Sequence, residues 1–360
     1  MRCVSFVRWR AMITLGAFIQ MLFANPILVI IMVIVIGATV VNGASAAPNA
    51  VATLVGTRSV KPQTAIILAA ICSVVGLFVI SLFNTAVAQT ILSMVDFGGD
   101  THYALLGLCA GAVAIIVWCT ASWWFGIPTS NSHALMAGIT GAGVAITGFA
   151  GINGHAWLLI LLGLVISSIL GFGCGWILAR LTKLILRGLK RSHADRGFRI
   201  VQILFGTVVS LLHGSQDGQK FLSIAFMGII LASGGSLAQV GGASMPIWLI
   251  LLIGIAMGLG TAVGGRRIIK TVGMSIAKLE TYQGALAMIS ASICIAFATF
   301  TGIPLSDVHT CNTSIVGVGA ERNIKKVNWG VIKRMVLAWV ITFPACGVLG
   351  FLMTKLFLLF

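Results

Sequence analysis

Two stretches of the chain, GIPTSNSHALMAG at residues 126–138 and GIPLSDVHTCNTS at residues 302–314, share one pattern of Gly, Ile, Pro, Ser and His, 176 residues apart. A second related pair lies upstream of them, NGASAAPNA at 42–50 and HGSQDGQKF at 213–221, 171 residues apart. Two polar motifs that recur in the same order at nearly the same spacing indicate an internal duplication. The sequence therefore predicts two homologous halves.

The rest of the chain is strongly apolar. It is 59% hydrophobic and 8% charged, with a mean hydropathy of +1.09, whereas soluble domains carry about 25% charged residues. Apolar stretches near the roughly 20 residues that span a bilayer as a helix recur along it. We predict an all-α, polytopic transmembrane helical bundle, with apolar segments at 27–41, 64–83, 103–121, 156–181, 199–212, 221–237, 247–263, 283–300 and 335–359.

The net charge of +16 comes from Lys and Arg in short connectors. Basic short loops of membrane proteins face the cytoplasm and contact anionic lipids. We therefore expect membrane lipids as partners and no nucleic acid. The eight cysteines lack the spacing of a disulfide framework or of a structural metal site.

The domain plan follows from the duplication. Residues 1–25 are predicted as an interfacial helix, 26–181 as the first transmembrane repeat, 182–199 as a basic cytoplasmic linker and 200–360 as the second repeat. Doubled membrane folds with broken helices are typical of secondary transporters. We expect the two repeats to be inverted relative to each other.

The Gly-Ile-Pro motifs predict an anion site. Pro128 and Pro304 fit the first turn of a helix, where unpaired N–H groups and the helix dipole attract anions. Hydroxyl and amide side chains follow each proline and add uncharged donors. The alternative is that these residues only cap and kink transmembrane helices. The candidate substrate contacts here are Ser130, Asn131, Ser132, Ser306, Thr313 and Ser314.

The upstream motifs predict a cation site. Asp217 lies between apolar stretches, and an acid at membrane depth is functional by default. Gly214 and Gly218 are expected to let the helix unwind and expose carbonyl oxygens, which hard cations prefer. The alternative is that Asp217 is a structural partner of His213 or Lys220. The first-half candidates are Asn42, Ser45 and Asn49, of which Asn42 and Asn49 could instead cap a helix break.

These four motifs together resemble those of the inorganic phosphate transporter (PiT) family, from about residue 27 to the C-terminus. The family signature reads roughly Gly-x-Asn-Asp-Ala-x-Asn, followed in each half by Gly-x-Pro-x-Ser-x-x-His. The resemblance implies helices and re-entrant hairpins around a phosphate near mid-membrane. It assigns Ser130, Ser132 and Ser306 to the hairpin hydroxyl positions, and Asn49, Gln216, Asp217 and Gln219 to cation or substrate contacts.

Three departures from the family pattern involve four positions. Ser45 and Ala46 stand in place of the first Asn-Asp, Asn131 replaces a hydroxyl residue, and Asp307 replaces a small hydroxyl residue. Burial and a neighbouring anion both favour the protonated form of an acid. We therefore hypothesise that Asp307 carries the coupling proton, in part replacing the acid missing at position 46. The alternative is a solvated Asp307 that caps a hairpin.

The predicted function is phosphate uptake by alternating access, coupled to H⁺ or Na⁺, with Na⁺ near Asp217 if sodium is the ion. A sulfate permease of the same fold and a passive anion channel are the alternatives. No enzymatic centre, cofactor or other metal site is expected, because catalytic carboxylate pairs, metal-ligand clusters and nucleotide loops are missing from the sequence. The expected location is a cell membrane, the inner membrane of a prokaryote, with a homodimer left open.

Overall fold

A computed structural model describes residues 14–185, 191–235 and 245–359, without the side chains of 191–194, 266 and 267. These residues are almost entirely helical, and the β pairing among them is an isolated bridge between Val95 and Ile152. The helices are α1 (Leu15–Ala24), α2 (Pro26–Ser45), α3 (Pro48–Gly56), α4 (Pro62–Phe83), α5 (Ala86–Leu92), α6 (Thr101–Phe125), α7 (Asn131–Thr147), α8 (Gly154–Ile185), α9 (Arg191–Ala232), α10 (Ile247–Val263), α11 (Arg266–Lys270), α12 (Thr281–Thr301), α13 (Asp307–Asn323) and α14 (Trp329–Phe357).

The described residues contain eight helices that are long and apolar enough to cross a membrane, or nine if the bent pair 247–263 and 268–275 forms one span. The predicted all-α transmembrane bundle is confirmed. One prediction is wrong: segments 199–212 and 221–237 are not separate, because α9 runs unbroken from Arg191 to Ala232. No proline interrupts this stretch, so the backbone hydrogen bonds continue through its polar centre.

The helices pack reciprocally between the two predicted halves. α2 packs against α10 while α9 packs against α4, and α7 packs against α14 while α13 packs against α8. In both cases, the two helices that carry the same motif in different halves each pack against a helix of the opposite half. Such an exchange is what a duplicated fold predicts. The inverted relation and the boundaries at 26, 181 and 199 stay predictions.

The glycine of each upstream motif lies where two backbones come close together. A Cβ on Gly43 would lie 2.2 Å from the Met257 carbonyl oxygen, and one on Gly214 would lie 2.1 Å from that of Ser73. Gly214 therefore permits close packing of α9 on α4.

The predicted unwinding around Asp217 is wrong, because residues 213–220 are helical throughout. The first half does break, at Ala46 and Ala47 between α2 and α3.

Gly214→Ala is therefore expected to destabilise the protein, by about 2 kcal/mol of unfolding free energy, because the new methyl group overpacks the contact of α9 with α4. Denaturant titration in mixed micelles measures this loss. Gly173→Ala is the matched control, since Gly173 lies in α8 and a Cβ there meets nothing within 4 Å. Equal stability of the two variants would contradict the close contact.

The ends of the predicted domains are partly described. Residues 1–13 of the predicted interfacial helix and residues 186–190 of the predicted linker lie outside the described residues. α1 ends before Asn25, whose side chain accepts hydrogen bonds from the backbone N–H groups of Ile27 and Leu28 at 3.1 and 3.4 Å. This cap separates α1 from the first spanning helix. α8 and α9 extend into residues 182–199 from both sides.

Candidate functional site

Each Gly-Ile-Pro motif connects two helices through a short non-helical segment. Gly126 and Gly302 end α6 and α12 with φ values of 66° and 73°, which glycine adopts without strain. The next helices begin only at Asn131 and Asp307. The prolines therefore lie in the connections. The prediction that they lie in the first helical turn is wrong. Both motifs share this geometry.

The serine after each proline caps the helix that follows. The Ser130 hydroxyl accepts from the backbone N–H of His133, and the Ser306 hydroxyl accepts from that of His309, both at 3.3 Å. Both serines are buried. The capping role that the sequence offered as an alternative is thus present. Each hydroxyl keeps its own hydrogen, so it also remains a donor.

The two helix starts meet in the core. The rings of His133 and His309 lie edge to face with centroids 4.6 Å apart. Two rings from α14 cover them: Trp339 stacks on His309 at 3.6 Å and Phe343 stacks on His133 at 4.5 Å. Trp339 also donates to the Pro128 carbonyl oxygen at 3.0 Å. Sequence reasoning had not assigned a role to the histidines, although both motifs carry one at the same position.

A buried lysine joins α9 to both helix starts. The Lys220 ammonium donates to the Asp217 carboxylate at 2.7 Å, to the Ser132 hydroxyl at 2.6 Å and to the Leu305 carbonyl oxygen at 2.8 Å. Lys220 is 1% exposed. An ammonium group has three hydrogens, and three oxygens accept them. Asp217 therefore has the lysine partner that the sequence had offered as one alternative.

A second buried acid lies beside this pair. The Asp307 carboxylate is hydrogen-bonded to Nδ1 of His213, and that nitrogen lies 3.9 Å from the second carboxylate oxygen of Asp217. Asp307 is 4% exposed, so it is not the solvated cap considered above. The site thus gathers two carboxylates, an ammonium and an imidazole.

Three of these groups are of the types that coordinate divalent metal ions. Atoms of His213, Asp217 and Asp307 lie within 4.8 Å of one another, and imidazole with carboxylates suits several divalent metals. The same atoms already serve other contacts, since Asp307 bonds to His213 and Asp217 bonds to Lys220. Holding a metal would require these pairs to rearrange.

The first-half residues form a neutral network. The Asn131 amide donates to the Asn42 side-chain oxygen at 2.8 Å and to the Ser45 hydroxyl at 2.7 Å. Asn49 instead donates to the Ala46 carbonyl oxygen at 2.8 Å. Asn49 therefore stabilises the break between α2 and α3. This is the capping role that the sequence analysis gave as the alternative to a cation contact.

Four predicted residues make side-chain hydrogen bonds away from the charged cluster. Gln216 donates to the Ile303 carbonyl oxygen at 3.1 Å, and Gln219 donates to that of Asn84 at 2.8 Å. Thr313 bonds back to the His309 carbonyl oxygen at 2.8 Å, and Ser314 bonds to the hydroxyl of Ser290 at 3.2 Å. The central contacts form two groups. One contains Asn42, Ser45 and Asn131, and the other contains Ser132, Lys220, Asp217, His213 and Asp307.

Known proteins resemble this chain over most of its length. The sequence profile of the phosphate transporter family matches residues 42–350. A "probable low-affinity inorganic phosphate transporter" of Bacillus subtilis (strain 168) is 38% identical over 310 residues, covering 86% of this chain and 91% of that protein. A protein of the same name from Rhizobium meliloti (strain 1021) is 36% identical over 332 residues, covering 91% and 95%. A solved structure entitled "The sodium-dependent phosphate transporter" has the same fold, with a TM-score of 0.81 at 22% identity over 93% of this chain and 100% of that chain.

Proposed function

Because this chain belongs to the phosphate transporter family, we propose that it imports inorganic phosphate together with a cation by alternating access. The chain is an integral membrane protein, and its relatives are transporters rather than enzymes. The observation that carries the proposal is the meeting of the two capped helix starts, whose His133 and His309 rings touch. The bacterial sources of the relatives favour a prokaryotic cell membrane as its location.

Phosphate is proposed to bind at the two helix starts. Backbone N–H groups of the first turns point out of α7 and α13, and the helix dipoles add positive potential there. The Ser130 and Ser306 hydroxyls contribute uncharged donors, and the Lys220 ammonium lies 2.6 Å from the Ser132 hydroxyl. The donors are uncharged, and the ammonium adds only positive potential because its three hydrogens are already donated, so the anion can also leave.

Phosphate fits the acceptors in the site better than sulfate does. One carboxylate oxygen of Asp217 is buried and has no hydrogen-bond partner among the described residues. Monoprotonated phosphate can donate its own hydrogen to such an oxygen, whereas sulfate at neutral pH has none to give. Sulfate, the second candidate substrate, should therefore compete weakly with phosphate for uptake.

The coupling proton is proposed to reside on Asp307. Its carboxylate is paired with the His213 imidazole inside the protein, and such a pair can take up a proton without placing an isolated charge in the core. The solved relative is entitled sodium-dependent, so sodium is the competing ion. Alternating access would then carry the proton and the phosphate across together.

Uptake by proteoliposomes tests the proposal. Purified protein is reconstituted, and radioactive phosphate is added with a pH gradient or a Na⁺ gradient imposed separately. We expect accumulation above the outside concentration under a pH gradient, and little inhibition by excess sulfate. Equilibration without accumulation under either gradient would instead identify a passive channel, and preferential sulfate uptake would identify the sulfate permease.

A further inference from the structure

The contacts of Lys220 are those that a bound cation would make. Its three acceptors are a carboxylate oxygen of Asp217, the hydroxyl oxygen of Ser132 and the carbonyl oxygen of Leu305, at 2.6–2.8 Å. Carboxylate, hydroxyl and carbonyl oxygens are also what hard cations select. The ammonium is thus a positive charge inside an oxygen cage, attached to α9 by its own side chain.

The internal repeat shows that this charge is specific to the second half. The 171-residue offset that aligns His213 with Asn42 places Lys220 opposite Asn49 and Asp217 opposite Ala46. At these two positions the first half therefore has neither the acid nor the ammonium. Among the residues that the structure describes, the Asn49 amide donates to the backbone oxygens of Ser45 and Ala46, at 3.4 and 2.8 Å. An acid and a fixed cation therefore occur together in the second upstream motif, and both are missing from the aligned positions of the first.

A free sodium ion beside Asp217 would have to compete with this ammonium. Two like charges within one small buried cage repel strongly, and Lys220 is only 1% exposed, so its ammonium is not solvated by water in this conformation. Removing the ammonium from the cage would also leave a buried charge without its partner.

From these contacts we infer that the Lys220 ammonium replaces a coupling sodium ion, so that phosphate uptake by this chain does not need sodium. The inference rests on the proposed function and specifies its ion requirement. Unlike Na⁺, the ammonium stays with the protein when phosphate is released, so it contributes attraction for the anion but no driving force. The driving cation must then be a different one.

The first test uses the wild-type protein. At a fixed pH gradient, phosphate uptake into proteoliposomes is compared in sodium and choline media, together with entry of radioactive sodium. We expect equal phosphate uptake in both media and no phosphate-dependent sodium entry. Sodium stimulation, or sodium entry that follows phosphate, would overturn the inference. Absence of phosphate accumulation under every gradient would instead overturn the proposed function.

The second test opens the cage. Lys220→Asn installs the residue that stands at position 49 and leaves space for an ion beside Asp217. Uptake by this variant should fall about tenfold in choline medium and recover in sodium medium, because a bound Na⁺ restores the missing charge. Lys278→Asn, which removes an exposed lysine, should behave as wild type. Uptake that is independent of sodium in the Lys220 variant would overturn the inference.

A binding measurement keeps the test decisive if Lys220→Asn transports poorly. The thermal unfolding temperature of the purified variant should rise in sodium chloride relative to choline chloride, while that of the wild type should not. Lys220→Gln serves as a second variant and should show the same sodium effect. Folded variants that gain no stability from sodium would count against the inference.

Discussion

Asp217→Asn is expected to abolish phosphate uptake and to lower the free energy of unfolding by about 3–5 kcal/mol, because it leaves the buried Lys220 ammonium without its carboxylate. The wild-type contact is 2.7 Å long, and both side chains are almost fully buried. The loss of stability is measured by denaturant titration in mixed micelles, and the loss of uptake is measured in proteoliposomes.

A double variant separates charge balance from function. Asp217→Asn combined with Lys220→Gln removes both charges, so most of the lost stability should return while uptake remains absent. Recovery of stability without recovery of transport would show that the pair serves the transport cycle as well as the fold. If Asp217→Asn alone unfolds at the same denaturant concentration as wild type, Asp217 and Lys220 do not form the buried ion pair described above.

Glu321→Gln is the matched control for this variant. Glu321 also pairs with basic side chains, Arg180 at 3.5 Å and Lys183 at 3.3 Å. Those partners are 51% and 54% exposed, and pairs in contact with water contribute about 1 kcal/mol or less. The Glu321 carboxylate is itself only 6% exposed, but its basic partners stay in contact with water when it is removed. Glu321→Gln should therefore have a small effect on stability, which isolates burial of the basic partner, Lys220, as the cause of the large effect at Asp217.

The paired helix starts were predictable from the sequence because their geometry is local. Gly126 and Gly302 permit the left-handed turn, and Ser130 and Ser306 cap the next helix within four residues. The glycine turn and the serine cap each depend on residues close together in the sequence, and both occur in each half. Repetition of the motif then indicated that both copies belong to one site.

The interior of α9 was not predictable in the same way. Glycine is equally suited to a helix break and to close packing of two helices, and only the contact of Gly214 with Ser73 on α4 selects the second. The cage around Lys220 likewise depends on Ser132 and Leu305, which lie 88 and 85 residues away along the chain. These partners become apparent only after the two halves have packed together.

Asp307→Asn is expected to remove the coupling of phosphate to protons without removing the phosphate site. An amide is close in size to the carboxylate and can still accept a hydrogen bond from His213, but it cannot take up and release a proton. One pH unit across the membrane supports about a tenfold phosphate gradient for each coupled proton. Uptake by the wild type should therefore increase as the outside pH falls, whereas the variant should lose this dependence and the tenfold accumulation.

Exchange of phosphate separates this loss from misfolding. Proteoliposomes loaded with unlabelled phosphate should exchange it for labelled phosphate through the Asp307→Asn variant at a rate close to that of wild type, because exchange requires no net proton movement. Asp195→Asn, which removes an exposed acid, should leave both exchange and pH dependence unchanged. If Asp307→Asn still accumulates phosphate with the wild-type pH dependence, another group carries the proton. If exchange is lost together with accumulation, Asp307 acts on phosphate binding itself.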